Sequence, residues 1–256
     1  MKTVEIGGKR VELYDSIEEM PITRFHKYSK MSLIDAGIGS DITDFDRHIA
    51  KAMALAKGKN PSDAAVELEN LRQSVYFIQN NLSPKHLSFA ALVKSIDGMP
   101  CDDLSDGGLQ RVVDELAQAP HGRITALLDA VKKKIEEELR LYFPKLFDDA
   151  QEKEYYDTLR RRTSLILEKI ERGSADDGIR EEIGRLADEL ATFYRPRVFT
   201  GTDSVEIQHD KSFGSVCLLM AQDLHVDPKE FSVMEYYNAL SYMQEEARRK
   251  KKALKK

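Results

Sequence analysis

The sequence predicts a mainly α protein, with multi-helix, bundle-like regions accompanied by one or two small β-hairpins. Three observations predict it. Apolar residues recur at spacings of three and four along most of the chain, which places them on one side of a helix. Cap-then-proline pairs at Asn60-Pro61 and Asp227-Pro228 mark helix starts, because the cap side chain accepts from unpaired amides and proline needs no donor at the first helical position. The clearest strand-like signals fall in two short stretches, each holding a turn dipeptide, Gly7-Gly8 and Asp97-Gly98.

In chain order, Thr3 to Tyr14 alternates around Gly7-Gly8 and reads as a hairpin that must pack on something else, since a lone hairpin is marginal in water. Pro21 opens a helix through Ile34, broken by D-A-G-I-G-S from Asp35 to Ser40. Phe45, Ile49, Met53 and Ala56 form the apolar side of the next helix, which ends at Gly58. The helix opened at Asn60-Pro61 carries Ala65, Leu68, Leu71, Val75 and Ile78. Phe89 to Pro100 reads as a strand or hairpin turning at Asp97-Gly98, or as a buried helix before that turn, which periodicity does not separate. Ser105 caps a helix with Leu109, Val112, Val113 and Leu116, stopped by Ala119-Pro120-His121-Gly122.

A long stripe follows through Ile124, Leu127, Leu128, Val131, Ile135 and Leu139, and Pro144 interrupts it. Tyr156, Leu159, Thr163, Ile166 and Ile170 lead to Gly173, and Ile179 to Phe193 repeats at 4-3-4-3, the spacing of a bundle seam. Two turn clusters around S-V-E-I-Q-H make 195–210 a linker or a short edge strand, before a helix over Phe213 to Leu224. The resulting division is a hairpin-plus-helix region over 1–122, a long helical region over 123–194, the linker at 195–210, and terminal helices with a basic tail over 211–256.

Apolar content of 41% with 32% charged residues suits a helix-rich protein with much charged surface, and 256 residues are enough to bury a sizeable core. The net charge is −5, yet seven of the last nine residues are Lys or Arg, and taking those seven charges away leaves the other 247 residues near −12. An acidic body argues against a broad nucleic-acid footprint. The absence of a long apolar run or signal-peptide core predicts no membrane span and a cytoplasmic protein, and the two distant cysteines, Cys101 and Cys217, read as free thiols.

Chemistry leaves little trace. The six histidines are scattered, with no H-E-x-x-H and no C-x-x-C, so no metal site and no cofactor are expected. The loop from Asp102 fails as a calcium site because Leu104 and Val113 stand where oxygen ligands belong. Gly37 and Gly39 lack the dinucleotide fingerprint, Gly7-Gly8-Lys9 lacks phosphate-loop spacing, and there is no G-x-S-x-G. No catalytic residue is named, and a non-enzymatic role is expected.

The most legible stretch is the end, where Asp227 caps, Glu230 is placed for a capping box and Val226 with Phe231 for a hydrophobic staple. Val233, Tyr236, Leu240, Met243 and Ala247 make one apolar face, while Tyr236, Tyr237 and Tyr242 spread over more than one side. The basic tail, with Arg248, Arg249, Lys250, Lys251 and Lys252, reads either as a frayed end following the helix dipole or as a contact for an acidic partner.

The segment D-P-K-E-F-S-V-M-E-Y-Y-N-A-L-S-Y-M-Q-E-E-A resembles the closing segment of phage tail assembly chaperones, and V-K-S-I-D-G-M-P-C-D-D-L-S-D shares the character of phage morphogenesis proteins. The resemblance covers roughly the last thirty residues and is diffuse elsewhere. It implies a helical, non-enzymatic protein of the host cytoplasm that binds the tape-measure protein until the tail tube polymerises. It also implies that Lys250-Lys251-Lys252 could coincide with a programmed frameshift in the coding sequence. The contact residues expected on that basis are Phe231, Met234, Tyr237 and Tyr242, taking an amphipathic helix in an apolar groove. Two alternatives are a tail or neck ring subunit that forms homo-oligomers, and a nucleic-acid-associated factor acting through the basic tail.

Overall fold

The computed structural model describes residues 1–57, 61–118, 121–147, 150–172, 177–193 and 195–253. The stop signals at Gly58, Ala119-Pro120 and Gly173 and the cap at Asn60 lie outside them. Mainly α with small hairpins is the fold observed: eleven α-helices and one four-stranded antiparallel sheet among the described residues.

Lys2–Ile6 (β1) and Lys9–Leu13 (β2) form the first hairpin, in register from Lys2 opposite Leu13 to Ile6 opposite Lys9. Gly7 and Gly8 turn it with φ of 59° and 79°, values that side chains with a Cβ resist. The second hairpin is Val93–Ile96 (β3) and Met99–Pro100 (β4), turned by Asp97-Gly98. The two hairpins join edge to edge, β2 against β3, with an irregularity between Glu12 and Leu13. Asp97 helps hold that seam, since its carboxylate accepts from the Arg10 amide at 2.8 Å and its own amide donates to the Arg10 carbonyl at 2.8 Å. The two readings of Phe89 to Pro100 are both realised: Pro84–Leu92 is a buried helix that runs straight into β3.

The helices before the sheet's second half are Ile22–Gly37 (α1), Ile42–Lys57 (α2), Pro61–Gln79 (α3) and Pro84–Leu92 (α4). After it come Asp106–Glu115 (α5), His121–Tyr142 (α6), Pro144–Phe147 (α7), Ala150–Arg172 (α8), Asp177–Phe193 (α9), Val205–Leu224 (α10) and Val233–Ala253 (α11). Ser105 caps α5 as expected, accepting from the Gly108 amide at 3.1 Å, and Pro144 begins a separate short helix rather than continuing α6.

One apolar cluster gathers Ile6, Val11 and Leu13 of the sheet with Phe89 to Leu92, Leu109 and Val112 of α5, and Ile124, Leu128, Val131, Ile135 and Leu139 of α6. Cys217 and Met220 of α10 and Val233 and Tyr236 of α11 close it. The expected stripes of α5 and α6 are thus the ones that bury. Arg24 of α1 is 4% exposed and threads this core, donating to the carbonyls of Val93 (2.8 Å), Ala91 (3.3 Å) and Cys101 and pairing with Asp102 at 3.1 Å. It ties α1 to the point where α4 becomes strand by giving donors to backbone carbonyls there.

Four expectations are corrected. In α2 and α3 the face that packs is one step round from the apolar stripe. The buried residues are His48 and Ala52 of α2 and Ala64, Glu67, Asn70 and Ser74 of α3, while Met53, Leu68 and Ile78 stay exposed. The reason is a buried polar pair: His48 Nδ1 stands 2.7 Å from Glu67 Oε1 and Nε2 stands 2.5 Å from the Ile38 carbonyl. Asn70 also donates to the Arg197 carbonyl at 3.0 Å. Such groups are costly inside unless partnered, and here the partners choose the face.

In α8, Tyr156 and Ile170 point outward at 57% and 70% exposure, whereas Thr158 is buried. This helix packs antiparallel on α9 through Tyr155 against Phe193 and Arg161 with Glu182 at 2.8 Å. Residues 195–210 hold no strand; Phe199 packs with Met31, Ile34 and Ile38 in a second small core, and Ser204 caps α10 by accepting from the Ile207 amide. Lastly, Asp227 caps only a 3-10 turn, Pro228–Glu230. The start of α11 is Ser232, whose hydroxyl accepts from the Glu235 amide (3.2 Å) while the Glu235 carboxylate accepts from the Ser232 amide (2.8 Å).

Candidate functional site

The start of α11 is stitched to the start of α1. Ile22 donates its amide to the Phe231 carbonyl, Val233 to Met20 and Met234 to Ile17, each at 2.9 Å, and Pro21 bridges Ser232. This splices the two helix starts together and leaves α10 beside both. Between the three helices runs a groove of about 540 Å³, lined by Phe25, Leu33, Phe213, Val216, Tyr237 and Leu240 among others, with the polar exceptions of His26, Ser29, Arg197, Gln208, His209 and Ser212.

Aromatic packing forms one wall. Tyr237 stands edge-on to Phe25 at 6.2 Å and to Phe147 at 5.2 Å, and tilts on Phe143 at 5.6 Å. Burial pushes its hydroxyl up to about 12, so it is a neutral donor throughout the physiological range.

At the other wall His26 of α1 inserts between two side chains one turn apart on α10. Its ring stacks on His209 at 4.4 Å and on Phe213 at 4.1 Å. His26 Nε2 lies 2.9 Å from Asp210 Oδ1, and Lys30 Nζ donates to Asp210 Oδ2 at 2.6 Å. Burial depresses both imidazoles, with His209 lowered further by its neighbour His26. Burial alone would raise Asp210, but the hydrogen bonds from Lys30 and His26 outweigh it and hold the carboxyl below its usual range.

The four residues expected to make contacts fall in different places. Tyr237 lines the groove. Phe231 and Met234 pack against the main core at the seam with α1, and Tyr242 stands apart from the groove lining at 60% exposure. Arg248 to Lys252 are all exposed, on a helix that continues to Ala253. Five cations in the last turns complement the carbonyl end of the helix, which favours its continuation. His26, His209 and Asp210 were not singled out by sequence spacing. His26 lies 184 positions before Asp210 in the chain, and only the adjacency of His209 and Asp210 one turn before Phe213 was there to be read. Both cysteines are free thiols, and no helix among the described residues is long and apolar enough to cross a membrane.

No protein-family model, curated protein or solved structure matches this chain.

Proposed function

We propose that the chain is a non-enzymatic assembly protein that holds an amphipathic helix of its partner in the groove between α1, α10 and α11. The partner in view is the tape-measure protein of a phage tail. The observation that carries this reading is a coincidence of two features. The segment that resembles tail assembly chaperones is the segment that supplies Tyr236, Tyr237 and Leu240 to the groove. A concave, mainly apolar surface with polar side chains among its lining suits a helix presenting residues at spacings of three and four.

Exposed apolar residues on α10, Leu218 and Leu219, give the same helix a second uncovered surface. An assembly factor that shields a long helical protein before polymerisation needs such area.

The test is co-expression of the full chain with a tape-measure protein. A soluble complex that co-purifies through size exclusion is the expected result. A tape-measure protein that stays equally insoluble with and without this chain would refute the reading. A ring subunit, by contrast, would form closed rings when purified and persist in mature particles.

A further inference from the structure

We propose that His26, His209 and Asp210 form a binding site for a divalent transition-metal ion of the zinc, cobalt and nickel class at the margin of the groove, joining α1 to α10. One ligand atom from each of the three lies within 4.8 Å of the others. His26 Nε2 and Asp210 Oδ1 are already 2.9 Å apart, so an ion replaces the proton they share. Bonds of about 2.0–2.1 Å in a tetrahedral site ask for ligand atoms roughly 3.4 Å apart, so the His209 nitrogen has at most about 1.4 Å to travel.

The stacked pair is not aligned for a shared ion, because parallel imidazoles direct their lone pairs along parallel planes. His209 must turn about its Cβ–Cγ bond. Its Nδ1 is buried and has no hydrogen-bond partner, so that turn gives up no hydrogen bond and satisfies an atom otherwise left without one. The surroundings supply the outer support that metal ligands usually have. Lys30 holds Asp210 Oδ2 and leaves Oδ1 to the ion, and Phe213 packs on the far face of His26 and sets its plane. Imidazole and carboxylate together suit zinc, cobalt and nickel rather than calcium or magnesium, and three protein ligands leave a fourth position open to solvent or to a partner side chain.

The experiment titrates the full-length protein with Co²⁺, read by visible d–d absorption, and with Zn²⁺, read by calorimetry and by the shift in melting temperature. One ion per chain is expected. His209→Ala and Asp210→Asn should each weaken binding by about 10- to 100-fold. His225→Asn, at the left-handed cap after α10, should leave binding unchanged. Wild-type protein that shows no saturable one-to-one binding and no melting shift with Zn²⁺ overturns the proposal, whatever the variants do. Binding that survives both His209→Ala and Asp210→Asn at full strength overturns it as well, because the ion would then lie elsewhere.

Discussion

At Gly39 the backbone turns with φ of +71°, and a Cβ there would fall 2.1 Å from the Asp44 carboxylate, which accepts from the amides of Ser40 (2.9 Å) and Asp41 (3.1 Å). Gly39→Ala should therefore destabilise the protein by more than about 1 kcal/mol, through both the left-handed conformation and the lost approach. A urea denaturation midpoint equal to wild type would contradict this. Nearby, burial raises the Asp35 carboxyl to about 6, with Lys85 offsetting part of the shift. A raised carboxyl contributes most stability below its unfolded value near 3.8, and that contribution is lost as pH rises through about 6. Asp35→Asn should consequently be more stable than wild type at pH 7 by about 1–2 kcal/mol and melt higher, with the gap closing toward pH 4. Melts at several pH values check it, and a gap that does not change with pH would refute it.

Among the elements, α11 shows how two similar start signals compete. Asp227-Pro228 and Ser232 both carry acceptors, with Glu230 and Glu235 each three residues on. Only the second starts the α-helix, because the backbone of 231–234 is taken up in pairing with residues 17–22. Ser232→Ala should cost about 1 kcal/mol, while Asp227→Ala, which removes only the acceptor of a 3-10 turn, should cost less. Thermal melts of the two variants rank them, and the reverse order would place the functional cap at Asp227. The α2–α3 pair makes the complementary point. Its packing face is organised by His48, Glu67 and Asn70, with Lys51 Nζ 3.2 Å from Glu67 Oε2 but not aligned to donate. A reading by apolar spacing had no means of finding it, since the charged and polar residues of a helix are normally the outer ones.

For the whole molecule, the arrangement of α1, α10 and α11 decides what the surface can bind. Leu33→Asp and Leu240→Asp put a charge on opposite helices of the groove, at partly buried positions. Each should leave the far-ultraviolet circular dichroism unchanged and abolish co-purification of a tape-measure partner. Retention of the partner by both folded variants would move the binding surface elsewhere. The aromatic wall around Tyr237 links this groove to the main core through Phe143, so the site is braced from within rather than carried on a loop.

The helical class, both hairpin turns, the stripes of α5 and α6 that bury and the break at Pro144 are all written in the order of residues. These are decided by interactions among neighbours within one or two turns, so local spacing and turn chemistry carry them. Long-range packing is what makes the two hairpins share a sheet, α2 and α3 pack through polar groups, α11 begin at Ser232, and His26 stand beside His209 and Asp210. Each of those depends on partners far away in the chain, whose hydrogen-bonding needs choose among faces and start points that the local pattern leaves nearly equal.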